Sequence, residues 1–265
     1  MGDFLTTDLW GMEQISMGTL ALLFCVALVA SFVDAVAGGG GLIALPALLY
    51  TGITPLQALA TNKLQGSFGT LSATVNFVRH GRIDLREMIP AVLLTFVGAM
   101  AGTLAVQMFS ADFLRVFMPF ALVALVIFFI LQPKLGEQDR HHRMGIWGFS
   151  MLFGFTLGFY DGFFGPGTGS FFTLAFVLVL GFNLVRATAN TKLLNFTSNI
   201  TSLGFFILGG HVIWSLGLVM AVGQIIGGTL GAHMTMRHGA SLIRPLVIIM
   251  SSAMALKLLY DNLAT

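Results

Sequence analysis

Charge is what this chain has least of. Lysine and arginine number 13 and aspartate and glutamate 11, so charged side chains make up 9 % of 265 residues, against about 25 % in an ordinary soluble domain. So few charges cannot make a water-facing surface, and a net charge of +2 offers no basic face for nucleic acid. Cysteine is scarcer still. Cys25 stands alone, which excludes a disulfide or cysteine–metal framework within the chain and leaves a packed thiol beside Phe24 and Val26 as the expectation. The N-terminus also lacks the basic start of a cleaved leader, carrying Asp3, Asp8 and Glu13 instead. Its first apolar run is longer than a leader's core, so no cleavage is expected.

What is present is apolar: 56 % of the residues are hydrophobic and the mean hydropathy is +0.90. Apolar runs cover roughly 17–52, 56–78, 88–109, 113–131, 145–182, 184–209, 212–236 and 243–260. Runs of this length satisfy their own backbone polar groups in lipid only as helices. The first and fifth exceed the length of one crossing, about 20 residues, and glycines interrupt each of them. The reading is an all-α membrane protein, a polytopic helical bundle forming a single transmembrane domain over 1–265. A first repeat occupies 14–131, a polar connecting loop 132–144 and a second repeat 145–262.

Two repeats are legible because the halves align. At an offset of 129, Ala58 meets Ala187, Lys63 meets Lys192, Gly98 meets Gly227, Gly102 meets Gly231 and Arg115 meets Arg244. Asp34 and Asp161 align at 127, so the second half gained two residues between its aspartate and its lysine. If each broken segment crosses once, the lysines and arginines other than Lys63 and Lys192 divide 7 to 4 between the two sides. If each goes in and returns, they divide 9 to 2, with only Arg115 and Lys257 opposed to the rest. The positive-inside rule favours the second case, hence halves of inverted topology, each with a glycine-broken first helix, as in many secondary transporters.

Four charges lie deep in the apolar runs. Asp34 precedes Gly38 to Gly41 and is followed by Asn62 and Lys63, while Asp161 precedes Gly165-Pro166-Gly167-Thr168-Gly169 and is followed by Asn190 and Lys192. A charge at membrane depth costs roughly 2.5–3.5 kcal/mol on insertion scales, so it needs a partner or a task. A glycine break frees the N-terminus of the following helix, whose N–H groups and dipole favour an anion. The candidate substrate-binding set is therefore Lys63, Lys192, Asn62, Asn190, Gly39, Gly40, Gly41, Gly167 and Thr168, with Asp34 and Asp161 as ion-pair or coupling groups. Structural neutralisation of Asp34 by Lys63 and of Asp161 by Lys192 is the plainer alternative, and under either reading removing Asp34 and Lys63 together should spare folding. Gln65, Asn195 and Asn199 extend a polar stripe along the same segments, lining a path or bonding neighbouring helices. The pairs Gly98/Gly102, Gly227/Gly231 and Gly154/Gly158 are expected to pack helices closely, and Tyr160 to reach toward the site. His141 and His142 lack partners at metal spacing, so no metal and no cofactor is expected. The rival classes are an anion channel, a carrier of organic carboxylates and an intramembrane aspartyl protease. The last is disfavoured because each half adds a lysine that would disturb a carboxylate dyad.

The motifs Phe32-Val33-Asp34-Ala35-Val36-Ala37-Gly38-Gly39-Gly40-Gly41-Leu42, Ala60-Thr61-Asn62-Lys63-Leu64-Gln65, Gly158-Phe159-Tyr160-Asp161-Gly162-Phe163-Phe164-Gly165-Pro166-Gly167-Thr168-Gly169-Ser170 and Ala189-Asn190-Thr191-Lys192-Leu193-Leu194-Asn195 resemble the sulfite exporter TauE/SafE family, and within it the YfcA-like branch. The resemblance covers essentially the whole chain. It implies a multi-pass transporter of the bacterial inner membrane, not an enzyme, moving sulfite, organosulfonates or related anions, with export the expected direction. The partners implied are a small anionic substrate and the lipid bilayer, with homo-oligomerisation left open. The family is often drawn with about eight segments, which competes with the in-and-back reading of the broken ones.

Overall fold

The computed structural model describes residues 16–131 and 144–239. The expected last apolar run and nearly all of the polar joint lie outside them. All regular structure among the described residues is helical: α1 (Met17–Ala37), α2 (Gly40–Tyr50), α3 (Pro55–Arg79), α4 (Ile89–Gln107), α5 (Ala111–Leu131), α6 (Ile146–Phe149), a π-turn over Ser150–Gly154, α7 (Phe155–Phe163), α8 (Thr168–Leu178), α9 (Leu184–Leu208) and α10 (Trp214–His238). Of these, α1, α4 and α10 are long and apolar enough to cross a membrane. Helices α3 and α9 are as long as α10, but many of their inward positions are polar.

Local chemistry sets the boundaries. The Ser16 hydroxyl accepts the Thr19 N–H to start α1. Thr54 and Gln57 form a reciprocal capping box ahead of Pro55 in α3, and Asn183 caps α9 through the Arg186 N–H. Gly38 takes a left-handed φ of 82° and ends α1. The connection from α1 to α2 is Gly38–Gly39, whereas that from α7 to α8 is Phe164–Gly167, so the longer second connection takes up the two residues gained there.

Close contacts fix the helix directions. A Cβ built on Gly223, Gly227 or Gly231 of α10 would lie 2.5, 2.1 or 2.6 Å from the carbonyl oxygens of Phe24, Leu28 and Phe32 in α1. Both series rise together, so α10 runs parallel to α1. It also runs parallel to α3, because Ile213 N–H donates to Thr61 Oγ1 at its start and Gly228 touches Gly69 and Ser72 farther on. The same pattern recurs between α4 and α7, where a Cβ built on Gly98 or Gly102 would lie 2.2 or 2.0 Å from the carbonyl oxygen of Phe155 or Phe159. Thr103 bonds Ser202, and Gln107 lies against Gly209, so α4 also parallels α9. The Gly98/Gly102 and Gly227/Gly231 pairs thus pack helices, as expected.

The two trios run in opposite senses. Residues 209–213 join α9 to α10 and can span only roughly 20 Å, far short of the roughly 37 Å of a 25-residue helix, so these two helices are antiparallel. Since α1 ends beside Thr235 of α10 and α3 begins beside Ile213, the chain must return between them, and α2 makes that return. Helix α8 does the same between α7 and α9. One end of the bundle gathers Arg79, Arg82, Arg86, Arg186 and Arg237, and Arg186 bonds Glu87 at 2.8 Å; Arg115 lies at the other end. Cys25 is exposed on the outer face of α1, which corrects the packed-thiol expectation: its position faces away from α10 and α3.

Candidate functional site

The two interhelical connections meet inside the bundle. A Cβ on Gly38 would lie 2.4 Å from the Gly169 carbonyl carbon, and one on Gly169 would lie 2.6 Å from the Gly38 Cα. No larger residue fits where the two backbones cross. Ser170 Oγ donates to the Ala37 carbonyl at 2.7 Å, satisfying one of the acceptors left open at the end of α1. Beside this crossing is a cavity with about 40 Å³ of free space, walled by both connections, by α3 and α9, and by Gln224 of α10. That volume suits about three water molecules or one small ion.

Of the residues expected to bind substrate, Asn62, Lys63, Gly40, Gly41, Gly167 and Thr168 line the cavity, together with Asp34 and Asp161. Gly39, Asn190 and Lys192 do not. Asn190 donates its amide N–H to the Arg186 carbonyl at 2.9 Å. Lys192 is fully buried behind Asp34. Tyr160 turns away from the cavity and donates to the Pro166 carbonyl at 2.7 Å.

The ion pairs are crossed between the halves. Lys63 Nζ is 2.9 Å from Asp161 Oδ1, and Lys192 Nζ is 2.8 Å from Asp34 Oδ2. This corrects the within-half pairing of Asp34 with Lys63, and with it the expectation that deleting those two together spares folding. Such a double substitution would leave both remaining charges unpaired. The reason is the interleaving of the helices: α3 packs along α9 and thereby carries Lys63 to the acid of the second half.

The free helix N-terminus expected before α2 is also occupied by the chain itself. The Gly40 N–H donates to Asp34 Oδ1 at 3.2 Å, so this carboxylate sits where an external anion was expected. Asp161 is held differently, by hydroxyls: Thr168 Oγ1 at 3.0 Å and Ser198. Lys63 additionally donates to Asn199 Oδ1 at 3.2 Å.

Amides complete the wall. Gln224 donates to Gln65, and Gln65 donates to Asn62 Oδ1 at 2.7 Å. Asn195 is 5 % exposed, and its side-chain amide oxygen Oδ1 has no hydrogen-bond partner. A buried amide without a partner beside a cavity is a group awaiting a ligand or water. Sequence reasoning missed Gln224. The available signal was a lone amide within the apolar run of α10, flanked by Gly223, Gly227 and Gly228.

The profile of the family described as sulfite exporter TauE/SafE matches residues 23–258. The chain is 50 % identical over 249 residues to "Probable membrane transporter protein YfcA" of Escherichia coli K12, covering 94 % of this chain and 93 % of that one. It is 49 % identical to a "Probable membrane transporter protein" of Haemophilus influenzae, covering 94 % and 98 %. It is 23 % identical over 270 residues to "Probable membrane transporter protein YunE" of Bacillus subtilis, covering 92 % and 99 %. No solved structure matches.

Proposed function

The chain belongs to the sulfite exporter TauE/SafE family of membrane transporters, and from that premise we propose that it is a secondary carrier of small sulfur-containing oxyanions, sulfite or an organosulfonate, working outward across the bacterial inner membrane. One observation carries the reading: a small cavity at the crossing of the two connections, with the Lys63 ammonium and the amides of Asn62, Asn195, Asn199, Gln65 and Gln224 at its wall. A compact anion with several acceptor oxygens suits that ammonium and those amide N–H groups, which share the wall with the carboxylates of Asp34 and Asp161. In this reading Lys63 meets the substrate and Lys192, sealed behind Asp34, holds the scaffold.

We read the two halves as inverted repeats, each opened by a glycine-broken hairpin. Three observations support this. Equivalent helices, α1 and α7, α3 and α9, α4 and α10, run in opposite senses. The equivalent contacts Gly98 to Phe155 and Gly227 to Leu28 are reciprocal, as a two-fold relation requires. The Arg186–Glu87 pair brings Arg186 to the side of Arg82 and Arg86, which the in-and-back arrangement requires and eight simple crossings forbid. With five arginines at that end, the positive-inside rule makes it cytoplasmic.

The deciding experiment is a ligand-stabilisation screen of sulfite, thiosulfate, sulfonates and carboxylates on purified protein. A ligand that binds only the folded state at 100 times its Kd stabilises by about 2.7 kcal/mol. Sulfur oxyanions should raise the melting temperature and carboxylates should not. The reverse pattern would move the substrate to carboxylates, and an ohmic conductance in place of saturable exchange in liposomes would make the protein a channel.

A further inference from the structure

Resting on the anion-carrier reading, we propose that Asp161 takes up one proton when the anion binds and releases it when the anion leaves, so that anion and proton cross together. The site begins in balance, with Lys63 and Lys192 against Asp34 and Asp161. A univalent oxyanion entering beside Lys63 adds one negative charge where uncompensated charge is expensive. By taking the ammonium for itself it strips Asp161 of the cation 2.9 Å away, and a buried carboxylate without its cation favours the neutral acid. Carboxylate plus a proton from water gives the carboxylic acid, so the net charge is zero before and after, and no other bond changes.

Geometry assigns the proton to Asp161 and not to Asp34. Asp34 is held by the Gly40 N–H at 3.2 Å and the Lys192 ammonium at 2.8 Å, both of which only donate. A proton on Asp34 would meet donors alone. Asp161 is held by the hydroxyls of Thr168 and Ser198, which donate or accept according to rotation. Each hydroxyl has a second acceptor within reach: the Gly165 carbonyl at 2.7 Å from Thr168 Oγ1 and the Asn195 carbonyl at 3.1 Å from Ser198 Oγ. Turned to those carbonyls, they offer lone pairs to a protonated Asp161. Its hydrogen bonds are satisfied in both charge states.

Among the described residues, the elements around α7 bring no competing base. Helix α3 supplies Lys63, and α9 supplies Lys192, engaged on Asp34. Helices α4 and α8 have no charged side chain. Helix α5 meets α7 through Phe117 and carries Asp112 and Arg115, both exposed. On α7 itself Tyr160 is committed to Pro166.

The test is calorimetric binding of methanesulfonate, which stays ionised throughout, to the full-length purified protein at several pH values. The apparent Kd should rise about tenfold per pH unit, the slope for one linked proton. In Asp161→Asn, which fixes the site in the charge state of the protonated acid, that slope should vanish. Should that variant fold poorly, Thr168→Val with Ser198→Ala removes the acceptors of the protonated acid and should flatten the slope. pH-independent binding by the parental protein overturns the coupling and leaves the anion site standing. A slope that survives in Asp161→Asn removes Asp161 as the carrier. If sulfite, thiosulfate and methanesulfonate all fail to bind at any pH, the sulfur-oxyanion reading beneath falls, and the proposal with it.

Discussion

Replacing Asp34 and Lys192 together should be tolerated, whereas replacing Asp34 and Lys63 together should not. At the observed 2.8 Å, two unit charges attract by roughly 6 kcal/mol at an effective dielectric constant of about 20. Desolvation of both groups consumes most of that gain. Asp34→Asn alone leaves Lys192 fully buried and unpaired, a loss of roughly 3–5 kcal/mol. Asp34→Asn with Lys192→Met removes both charges, and the asparagine oxygen still accepts the Gly40 N–H, so stability should return to within about 1 kcal/mol of the parent. Asp34→Asn with Lys63→Met instead strands Lys192 and Asp161. The combined cost of roughly 6–10 kcal/mol rivals the whole stability of a typical protein, and little folded protein should accumulate. Melting curves of fluorescent fusions in detergent, read by size-exclusion chromatography, measure both doubles. Equal stability of the two, or a more stable Asp34/Lys63 double, would refute the crossed pairing.

Lys63→Met with Asp161→Asn, the other matched pair, should fold yet bind no sulfur oxyanion in the stabilisation screen, because it removes the one cation that lines the cavity among the described residues. Asn195→Leu removes a buried amide whose oxygen has no partner and should cost less than about 1 kcal/mol of stability, while loss of the amide NH2 that can donate to an anion should weaken anion binding at least tenfold; unchanged binding would take Asn195 out of the site. Gly102→Ala puts a methyl group 2.0 Å from the Phe159 carbonyl oxygen and should lower the melting temperature markedly, since backbone there cannot yield; an unchanged melt would mean that α4 and α7 separate freely. In a Cys25→Ser background, a cysteine at Ser110 should react with impermeant maleimide in intact cells and one at Asp84 should not. The opposite pattern would invert the topology.

The buried Lys63, Asp161 and Lys192 and the half-buried Asp34 were legible because the surrounding residues are so apolar that any ionisable group stands out, and their matched spacing is what suggested two related halves. Helix-packing glycines were legible for a similar reason: Gly98/Gly102 and Gly227/Gly231 recur at one offset, and only packing explains both. Gln224 escaped, since one amide in a long apolar run reads as incidental until Gln65 is seen opposite. Lys192 and Asn190 looked equivalent to residues of the first half, yet the structure surrounds them differently. Gly66 and Gly69 of α3 occupy the places of Asn195 and Ser198 in α9, and those glycines leave room for Asn199 and Gln224. The cavity therefore formed beside Lys63 and not beside Lys192.

By itself the sequence determined that this is a helical membrane protein and pointed to four charges set deep in apolar runs, because hydropathy and the cost of burying charge are written residue by residue. Which acid meets which lysine was decided only by the tertiary structure. Pairing depends on helices α3 and α9 lying side by side, and a contact between residues 98 or 158 positions apart leaves no trace in local spacing. The same holds for Asp34 filling the N-terminus of α2: a helix end attracts the nearest available anion, and only the turn at Gly38–Gly39 brings that carboxylate within 3.2 Å of it.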